Sequence, residues 1–534
     1  MKGGRKLRIL GGSTAGLVAL LVFLGVAELV AIATGPAAAP SVAIGQQAIS
    51  HAPNSLKELA IRWFGEQDKT ALLAGIYFVL AVIAAAVGAL GAALNRAVGA
   101  LGAGVLGVVG AVSAATAPTA TGSDAIPSLI GAVAAAGAYL ALVPARVPAG
   151  AARGAGPVPD PAPASGGAPT GSTVLATAAA VSRRRLLATG GAMVAVGAVA
   201  YGFGRSAVQS AYSAATSRSA VRLPTPASPA LTASGTDFPV PGLAPYYTPT
   251  AQFYRVDTAL VVPQLTTESY ALRLHGMVDR PATFSYAELL AMPLVERTMT
   301  MVCVSDPVGG PYVGNARWLG VLLKGLLEQA GIQPGADQLF MTASDGMTIG
   351  AQLSTAMDGR PAMLALGMNG EPLPFDHGFP VRAVIPGFYG YVSACKWLVD
   401  LEVTTFAAKQ AYWVQRGYAA TAPVKLESRI DTPASFASLR AGTVTVAGSA
   451  WQPTVGISRV QVKVDSGPWH DATLAQVDSV DTWRLWRWDW AATPGNHTLQ
   501  VRAFDSSGRV QTAAEAAIVP NGTTGRQSVA VTVS

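Results

Sequence analysis

The chain has little charge, few histidines and almost no cysteine. Only 13% of its 534 residues are charged and 51% are hydrophobic, whereas roughly a quarter of a soluble protein is charged. A single soluble domain is therefore excluded. None of the five histidines lies in a long apolar stretch: they are His51, His275, His377, His470 and His497. No Cys-x-x-Cys-His motif occurs either, so we expect no haem in this chain.

The positive charge of the chain belongs to its N-terminal part. Residues 1–222 contain 16 Lys and Arg against 6 Asp and Glu, a balance of +10, whereas residues 223–534 contain 21 against 24, a balance of −3. A basic excess confined to apolar sequence is typical of the cytoplasmic loops of a membrane protein and not of a phosphate-binding stripe. We therefore expect contact with a lipid bilayer and no nucleic-acid partner.

Apolar stretches of membrane-spanning length occur only in this N-terminal part. A helix needs about 20 residues to cross the hydrocarbon core. The five candidates are Ser13–Ala33, Thr70–Leu94, Ala97–Ala117, Ala125–Pro144 and Leu186–Gly204. These stretches predict an α-helical membrane region at residues 1–205, with four or six spans as alternatives to five. A Pro/Gly/Ala-rich linker is predicted at residues 145–181.

Lys and Arg clusters set the predicted orientation of these spans. They precede the first stretch, follow the second and separate the fourth from the fifth. Because cytoplasmic loops are enriched in Lys and Arg, an odd number of spans places everything after Gly204 outside the cytoplasm. Arg183-Arg-Arg-Leu-Leu, before the last stretch, resembles a twin-arginine export signal, and a simple cytoplasmic anchor is the alternative. Glu28 lies within the first stretch; we favour snorkelling of its carboxylate to the outer surface over a proton or ion role.

The second half of the sequence divides into two patterns. After a Ser/Ala/Thr/Pro linker at residues 206–241, residues 242–425 mix short strands, such as Tyr270–Leu274, with helical segments, such as Trp318–Ala330, which predicts an α+β domain. Residues 426–534 contain short alternating β runs separated by turn residues, which predicts an all-β immunoglobulin-like sandwich. The tryptophans of Trp483–Trp490 are expected in the core of this sandwich and at a partner interface, with a ligand platform as the alternative.

Both cysteines fall in the α+β domain. In an oxidising compartment, the simplest interpretation of Cys303 and Cys395 is one disulfide. Cys303, however, begins a glycine-rich loop that leads to Asn315 and Arg317. A thiolate on such a loop, beside polar and cationic side chains, could instead bind a redox metal. The residues alone leave both alternatives open.

Three ordered motifs give this domain a family resemblance. Cys303 is followed by Gly314-Asn-Ala-Arg-Trp-Leu-Gly, by Met368-Asn-Gly-Glu-Pro-Leu-Pro-Phe-Asp-His-Gly-Phe-Pro-Val-Arg and by Lys396-Trp-Leu. In order and spacing, these motifs resemble the sulfite oxidase family of molybdopterin-dependent enzymes. The resemblance covers about residues 253–534. It implies a molybdopterin-binding α+β domain, placed outside the cytoplasm by the predicted topology. It also implies that the sandwich is a dimerisation domain, and thus a possible homodimer.

The resemblance also implies roles for individual residues. Cys303 matches the thiolate ligand of molybdenum. Arg255 matches the arginine that faces the metal, Arg317 the arginine of the anion pocket and Tyr418 the active-site tyrosine. Residues that match cofactor contacts are Arg255, Asp257, Cys303, Asn315, Asp345, His377, Arg382, Ala394, Cys395 and Lys396. Cys395 is expected to act through its backbone while its side chain packs. A cationic set of this kind suits an oxyanion substrate and a phosphate-bearing cofactor.

Two departures from the family pattern leave the substrate open. Animal and plant enzymes have Arg-Asn-His where this chain has Arg255-Val-Asp, and an arginine near the end of the Pro-Gly loop is replaced within Phe388–Ser393. We expect oxidation of sulfite or a related small sulfur oxyanion, with electrons passed to a separate cytochrome or membrane carrier. The alternatives are a molybdenum-dependent reductase of sulfoxides or other oxides, and a membrane scaffold whose oxidoreductase-like domain is degenerate.

Overall fold

Long apolar helices build the N-terminal unit, residues 1–213. The computed structural model describes residues 2–53, 56, 63–64, 67–143 and 171–534. The helices of this unit in the described ranges are α1 (Lys2–Thr34), α2 (Pro40–His51), α3 (Asp68–Ala93), α4 (Arg96–Ala115), α5 (Ile126–Leu142) and α6 (Gly171–Ala211). Helix α1 packs against α3, α5 and α6. Glycines allow this close packing, because a Cβ on Gly16 would overlap the carbonyl of Ala84 and a Cβ on Gly25 would overlap that of Gly197.

Among the residues that the structure describes, four helical segments are long and apolar enough to cross a membrane: Arg5–Thr34, Lys69–Ala93, Arg96–Ala115 and Leu187–Ala220. They correspond to the first, second, third and fifth predicted spans. The fourth predicted span forms the shorter apolar helix Ile126–Leu142. Of the linker predicted at residues 145–181, residues 145–170 lie outside the described residues, and from Gly171 the chain is helical. The Ala-rich composition of residues 174–181 explains the difference, because alanine is the strongest helix former.

The predicted snorkelling of Glu28 is wrong. Its side chain is buried within the helical unit, with Arg205 of α6 as its charged neighbour. Gly204 explains this position: a Cβ there would lie 3.0 Å from the Cβ of Glu28, so the glycine allows α6 to cover the carboxyl. Helix α6 meets α3 at the same end, where the Tyr77 and Tyr201 hydroxyls lie 2.7 Å apart.

The second unit, residues 214–534, begins with two sheets and short helices. Its strands are β1 (Ala271–Gly276), β2 (Ala282–Ser285), β3 (Val295–Val302), β4 (Val313–Leu322), β5 (Gln338–Ala343), β6 (Thr348–Gln352), β7 (Met363–Met368), β8 (Glu371–Pro372), β9 (Arg382–Val384) and β10 (Leu398–Thr404). Its helices are α7 (Ala215–Ala220), α8 (Tyr286–Ala291), α9 (Leu323–Ala330) and α10 (Leu353–Met357). One sheet has the order β2-β1-β10-β5-β6, and the other β3-β4-β7-β8, with β9 paired to β7. This arrangement confirms the α+β prediction.

One local prediction in this region is wrong. Residues 318–322 were expected to be helical but continue strand β4, because Trp318 and Leu319 pair with β7 and are buried there. The linker predicted at residues 206–241 begins within α6, and from Ala214 the chain belongs to the second unit. Arg218 donates to the carbonyl of Leu373 at 2.8 Å, and the Ala227 N–H donates to the carbonyl of Leu294 at 2.8 Å.

The C-terminal part is a sandwich of two antiparallel-rich sheets, as predicted. Its strands are β11 (Glu427–Thr432), β12 (Ala437–Leu439), β13 (Gly442–Trp451), β14 (Ile457–Val464), β15 (His470–Asp471), β16 (Thr473–Leu474), β17 (Arg484–Ala492), β18 (Gly495–Asp505) and β19 (Ser528–Val533). The sheets have the orders β11-β13-β17-β16 and β12-β19-β18-β14-β15. Trp486 and Trp490 lie in the core between them, and Trp483 is buried beside Tyr246. The core interpretation of this tryptophan run is confirmed.

Candidate active site

Cys303 lies directly after strand β3, at the edge of the β3-β4 pair. Its backbone N–H donates to the carbonyl of Tyr312 at 2.9 Å, and its Sγ lies 2.9 Å from the Ser305 hydroxyl. The side chain is 9% exposed, and burial raises the pKa of the thiol. Cys303 and Cys395 are both free thiols, so the disulfide alternative is wrong. The Cys303 thiol is available as a ligand for a soft metal.

Cys395 occupies a different environment from Cys303. Its side chain is fully buried in the hydrophobic core formed around β1, β5 and β10. Its carbonyl accepts the N–H of Ala383 at 2.9 Å, and the N–H of Ala394 donates to the carbonyl of Gly390 at 2.9 Å. These backbone bonds fix the segment that presents Lys396. The side chain of Cys395 thus packs in the core, while its backbone belongs to the edge of the site.

Arg382 and His377 form the deepest part of a cationic cluster. Arg382 is 5% exposed, stacks over the Trp318 ring at 4.9 Å and donates to the carbonyl of His377 at 3.1 Å. Burial lowers the pKa of Arg382 to about 10, and the guanidinium remains charged at neutral pH. Burial, followed by the nearby Arg382 and Lys396, lowers the pKa of His377 to about 3. His377 is therefore a neutral imidazole at any physiological pH.

Arg255 and Lys396 complete this cluster, which we call the cationic lobe (Arg255, His377, Arg382 and Lys396). Asp257 accepts from Arg255 Nε at 3.0 Å and from Lys396 Nζ at 2.6 Å. Arg255 also pairs with Asp376 at 2.9 Å. Arg255 keeps 28% of its side chain exposed, against 12% for Lys396. Asp257 thus holds the two cations in place, and Arg255 is the more accessible of them.

Two buried carboxyl groups lie near Cys303, and sequence reasoning missed both. We call Asp306 and Glu427 the acidic wall; each is 3% exposed. The Asp306 N–H donates to the carbonyl of Cys303 at 3.1 Å, and its Oδ1 accepts the N–H of Tyr312 at 2.7 Å. Burial raises the pKa of Asp306 to about 7, and burial with the neighbouring Asp306 raises that of Glu427 to about 8. Asp306 Oδ2 and Glu427 Oε1 are buried without a hydrogen-bond partner in the described part of the chain.

The thiol of Cys303 has one charged neighbour from each of these two groups. Its charged neighbours are Asp306 and Lys396. Tyr254 is half-buried near Cys303, Arg382 and Asp306, and desolvation together with the nearby thiol raises its pKa well above the usual value. The signal that could have located Asp306 was its position three residues after Cys303. No local signal pointed to Glu427, because it lies in the other domain.

Strand β4 separates Arg317 from the cationic lobe. Side chains alternate between the two faces of a strand, and Trp318 faces Arg382. Arg317 consequently points to the opposite face, where it stacks on Tyr247 at 5.1 Å. Asn315 shares that face and donates to the carbonyl of Tyr246 at 2.9 Å. The structure therefore does not bring Arg317 and Arg255 together around one anion, and Asn315 uses its amide to hold the Tyr246 segment.

Tyr418 and Asp345 lie at two further edges of the region. Tyr418 is buried and packs edge-to-face against Tyr391 and Trp413, with ring centroids 5.4 and 5.3 Å away. Asp345 follows β5 and accepts the N–H of Met347 at 3.1 Å. Burial, with the nearby Asp257, raises the pKa of Asp345. Asp345 therefore lies close to the ion pair that Asp257 forms with Lys396.

The residues present fit a buried, anionic, phosphate-bearing group. Arg382 Nε and Ser344 Oγ are buried polar atoms without a hydrogen-bond partner in the described ranges, and buried polar groups normally have one. Gly378 adopts a φ of 106°, and a Cβ there would lie 3.0 Å from Lys396 Cα and 3.1 Å from Arg382 Cβ. This glycine lets the His377 loop approach both cations. A planar guanidinium and an ammonium in such a setting suit a phosphate.

Comparison with known proteins identifies the family. Residues 259–413 match the oxidoreductase molybdopterin binding domain, and residues 427–501 match the bacterial Ig domain. Sulfite oxidase of Gallus gallus is 30% identical over 318 residues, which make up 50% of this chain and 68% of that protein. The chain belongs to the sulfite oxidase family. This family member is a molybdopterin-dependent oxidoreductase with a C-terminal Ig-like domain.

Two other proteins are similar to part of this chain. Mitochondrial sulfite oxidase of Drosophila melanogaster is 30% identical over 325 residues, 50% of this chain and 55% of that protein. The chain thus spans about half the length of the mitochondrial relatives that it matches. The crystal structure of the sulfane dehydrogenase SoxCD from Paracoccus pantotrophus is 23% identical, with a TM-score of 0.47 over 53% of this chain and 80% of that one.

Proposed function

We propose that this sulfite oxidase family member is a membrane-anchored molybdenum oxidoreductase that oxidises sulfite, or a related small sulfur oxyanion, outside the cytoplasm. The observation that carries the proposal is the buried free thiol of Cys303 with the cationic lobe beside it. Oxidation of sulfite to sulfate consumes one water and releases two protons and two electrons. The site must therefore hold an anion, limit water and pass electrons onward.

The cofactor would be held by residues on one side of the thiol. Cys303 supplies the thiolate for molybdenum, and Arg382, His377 and Lys396 hold the phosphate-bearing pterin, with backbone contacts from Ala394 and Cys395. Asp345 and Asp257 orient this set: Asp257 does so through its bonds to Arg255 and Lys396. When bound, the molybdenum–molybdopterin cofactor supplies two-electron oxygen-atom transfer.

The substrate would be bound by the accessible edge of the cationic lobe. Arg255 has the greater side-chain exposure of the two cations that Asp257 anchors, and its guanidinium offers a fork of donors to an oxyanion. We assign Tyr418 to orientation of a substrate oxygen by its phenol group. Burial of Cys303, His377 and Arg382 limits the access of bulk water.

The apolar helices and the sandwich bear on where the enzyme is located and how it assembles. The four segments of spanning length would anchor it as a multi-pass protein of the cell membrane. The second unit would then lie outside the cytoplasm, and the twin-arginine route is one means of exporting it. We expect no haem in this chain, so electrons pass to a separate cytochrome or membrane carrier. The Ig-like domain is the proposed interface of a homodimer.

A second candidate function is favoured by the acidic wall. Burial raises the pKa of Asp306 to about 7 and that of Glu427 to about 8, so both can hold a proton near neutral pH. Reduction of a sulfoxide consumes two protons and two electrons and yields a sulfide and water, and buried carboxyl groups can supply those protons. A molybdenum-dependent reductase of sulfoxides or similar oxides is therefore the alternative.

Two assays separate these candidates. Sulfite with ferricyanide as acceptor measures oxidation, and a sulfoxide with reduced viologen as donor measures reduction. We expect the higher kcat/KM with sulfite, and a higher value with the sulfoxide would favour the second candidate. Metal analysis of the protein made with an intact export route tests for a degenerate scaffold, which would contain no molybdenum.

A further inference from the structure

One outer sheet face of the Ig-like domain carries four cations. Arg459 and Lys463 lie on β14, Arg502 lies on the neighbouring β18, and Arg526 precedes β19. Trp469 lies among them, with Arg502 at 4.2 Å, Lys463 at 5.1 Å and Arg526 at 5.6 Å from its ring. Arg459 stacks on Phe504 at 3.9 Å. We call the four cations with Trp469 and Phe504 the basic face.

No carboxylate neutralises these cations by an ion pair within the described ranges of the chain. Arg502 donates twice to the neutral Oε1 of Gln461, at 2.9 and 2.6 Å, and Arg526 donates to the carbonyl of Gln511. Burial, and then the nearby Arg526 and Arg459, lower the pKa of Arg502, while the carboxylate of Asp471, which accepts from Gln461 Nε2 at 2.8 Å, opposes this shift. Residues 426–534 contain 9 Lys and Arg and 9 Asp and Glu. The positive potential therefore results from the arrangement of charges and not from an excess of them.

Charge also restricts what can cover this face. In a two-fold symmetric dimer, an interface patch at the axis meets its own copy. Four cations that lack ion pairs would then face the same four cations, which is unfavourable. A second copy of this chain is therefore a poor partner for the basic face, whereas an acidic protein surface is complementary to it. Arg and Trp are also the residue types that most often dominate binding energy at interfaces.

The residue after Arg526 contacts the loop that follows Cys303. The side chain of Gln527 covers Gly309, where an added Cβ would overlap it. The Oε1 of Gln527 accepts the N–H of Ile430 at 2.5 Å, which fixes the side chain against β11 of the other sheet. Because consecutive side chains of an extended segment point to opposite sides, Arg526 faces outward from the sandwich while Gln527 faces β11 and this loop.

We propose that the basic face binds the acidic surface of the one-electron acceptor protein that receives the electrons of the reaction. This inference rests on the proposed function, because only an oxidase must deliver electrons to such a partner. Complementary charge accelerates encounter of redox partners and makes it sensitive to salt. The basic face would hold the acceptor on the second unit, which also contains Cys303.

The test uses the full chain in nanodiscs of phosphatidylcholine, with an acidic soluble cytochrome b5 domain as the probe. The variant is Arg459→Glu combined with Lys463→Glu. The control is Arg440→Glu, which reverses one charge where the variant reverses two, on an exposed residue at the far edge of the sheet. We expect kcat/KM for the cytochrome to fall at least about tenfold in the double variant at low salt. The control should remain within about twofold, and the difference should disappear at high salt.

Two further readouts separate this inference from the proposed function. With the small cationic acceptor phenazine methosulfate, the double variant should turn over sulfite at the unchanged rate. Calorimetric titration of the resting protein with oxidised cytochrome measures docking without turnover, so it remains informative if sulfite is not the substrate. Unchanged cytochrome affinity in the double variant overturns the proposal. Loss of binding to phosphatidylglycerol vesicles with unchanged cytochrome affinity also overturns it and assigns the face to lipid.

Discussion

The cationic lobe and the acidic wall each contribute one charged neighbour to the Cys303 thiol and differ in how they are built. The lobe comes from one domain, and its cations are held by Asp257, Asp376 and stacked aromatic rings. The wall combines the Cys303 loop with the first strand of the Ig-like domain, and it contains carboxyl oxygens without hydrogen-bond partners in the described part of the chain. The difference indicates that the lobe is arranged for a permanent anionic cofactor, while the wall sets the local charge that the substrate meets.

The largest expected effect concerns the lobe. Arg382→Met removes the buried guanidinium that stacks on Trp318, while keeping a long unbranched side chain. Because a phosphate would lose its deepest cationic partner, we expect molybdenum content and activity to fall at least about tenfold, from the loss of roughly 1.4 kcal/mol or more of binding. Plasma mass spectrometry of the purified protein measures the metal. Arg360→Met, a matched loss of an arginine paired with Asp358, should retain it.

The next effect concerns the wall. Asp306→Asn removes a carboxyl group beside Cys303 while preserving its shape. At about pH 9, where a carboxyl group with a pKa of about 7 is ionised, we expect KM for sulfite to fall about tenfold, because a negative charge beside Cys303 is removed. KM for a neutral sulfoxide should change less than about twofold. Steady-state kinetics with both substrates makes the comparison. Equal changes for the two substrates would show that the wall does not select by charge.

A third prediction compares the two faces of strand β4. Arg255→Met should raise KM for sulfite about tenfold, because the variant removes the accessible cation of the lobe. Arg317→Met should leave KM within about twofold, because Arg317 points away from Arg382 and stacks on Tyr247. If Arg317→Met instead matched Arg255→Met, the two arginines would share an anion pocket after all.

The smallest expected effect is on stability. The folded protein keeps the Glu427 proton up to about pH 8, whereas an exposed glutamate loses it near pH 4.5. Between these values the folded state binds more protons than the unfolded chain, so the free energy of unfolding falls as pH rises. Glu427→Gln removes this dependence: we expect an unchanged Tm at pH 5 and a Tm several degrees higher at pH 8, measured by scanning calorimetry. A variant with the wild-type slope would contradict the buried carboxyl.

The success of each sequence-based prediction depends on how far apart in the chain the interacting residues lie. Alternation in Val460–Val464 and Ser528–Val533 predicted sandwich strands, because each strand there has one buried face. Residues 318–322 looked helical because the strand is apolar on both faces. The family motifs pointed to the lobe. Glu427, however, reaches the Cys303 region across the domain boundary, 121 positions after Asp306, and the orientation of Arg317 depends on strand register, so neither could be read from local sequence.

The central claim is that Cys303 is the protein ligand of molybdenum beside the cationic lobe. Molybdenum X-ray absorption of the purified full chain, compared with Cys303→Ser, tests it most directly. We predict that the variant loses one sulfur from the first coordination shell of molybdenum, together with turnover, while Cys395→Ser keeps the wild-type spectrum. An unchanged sulfur count and retained turnover in Cys303→Ser would contradict the account.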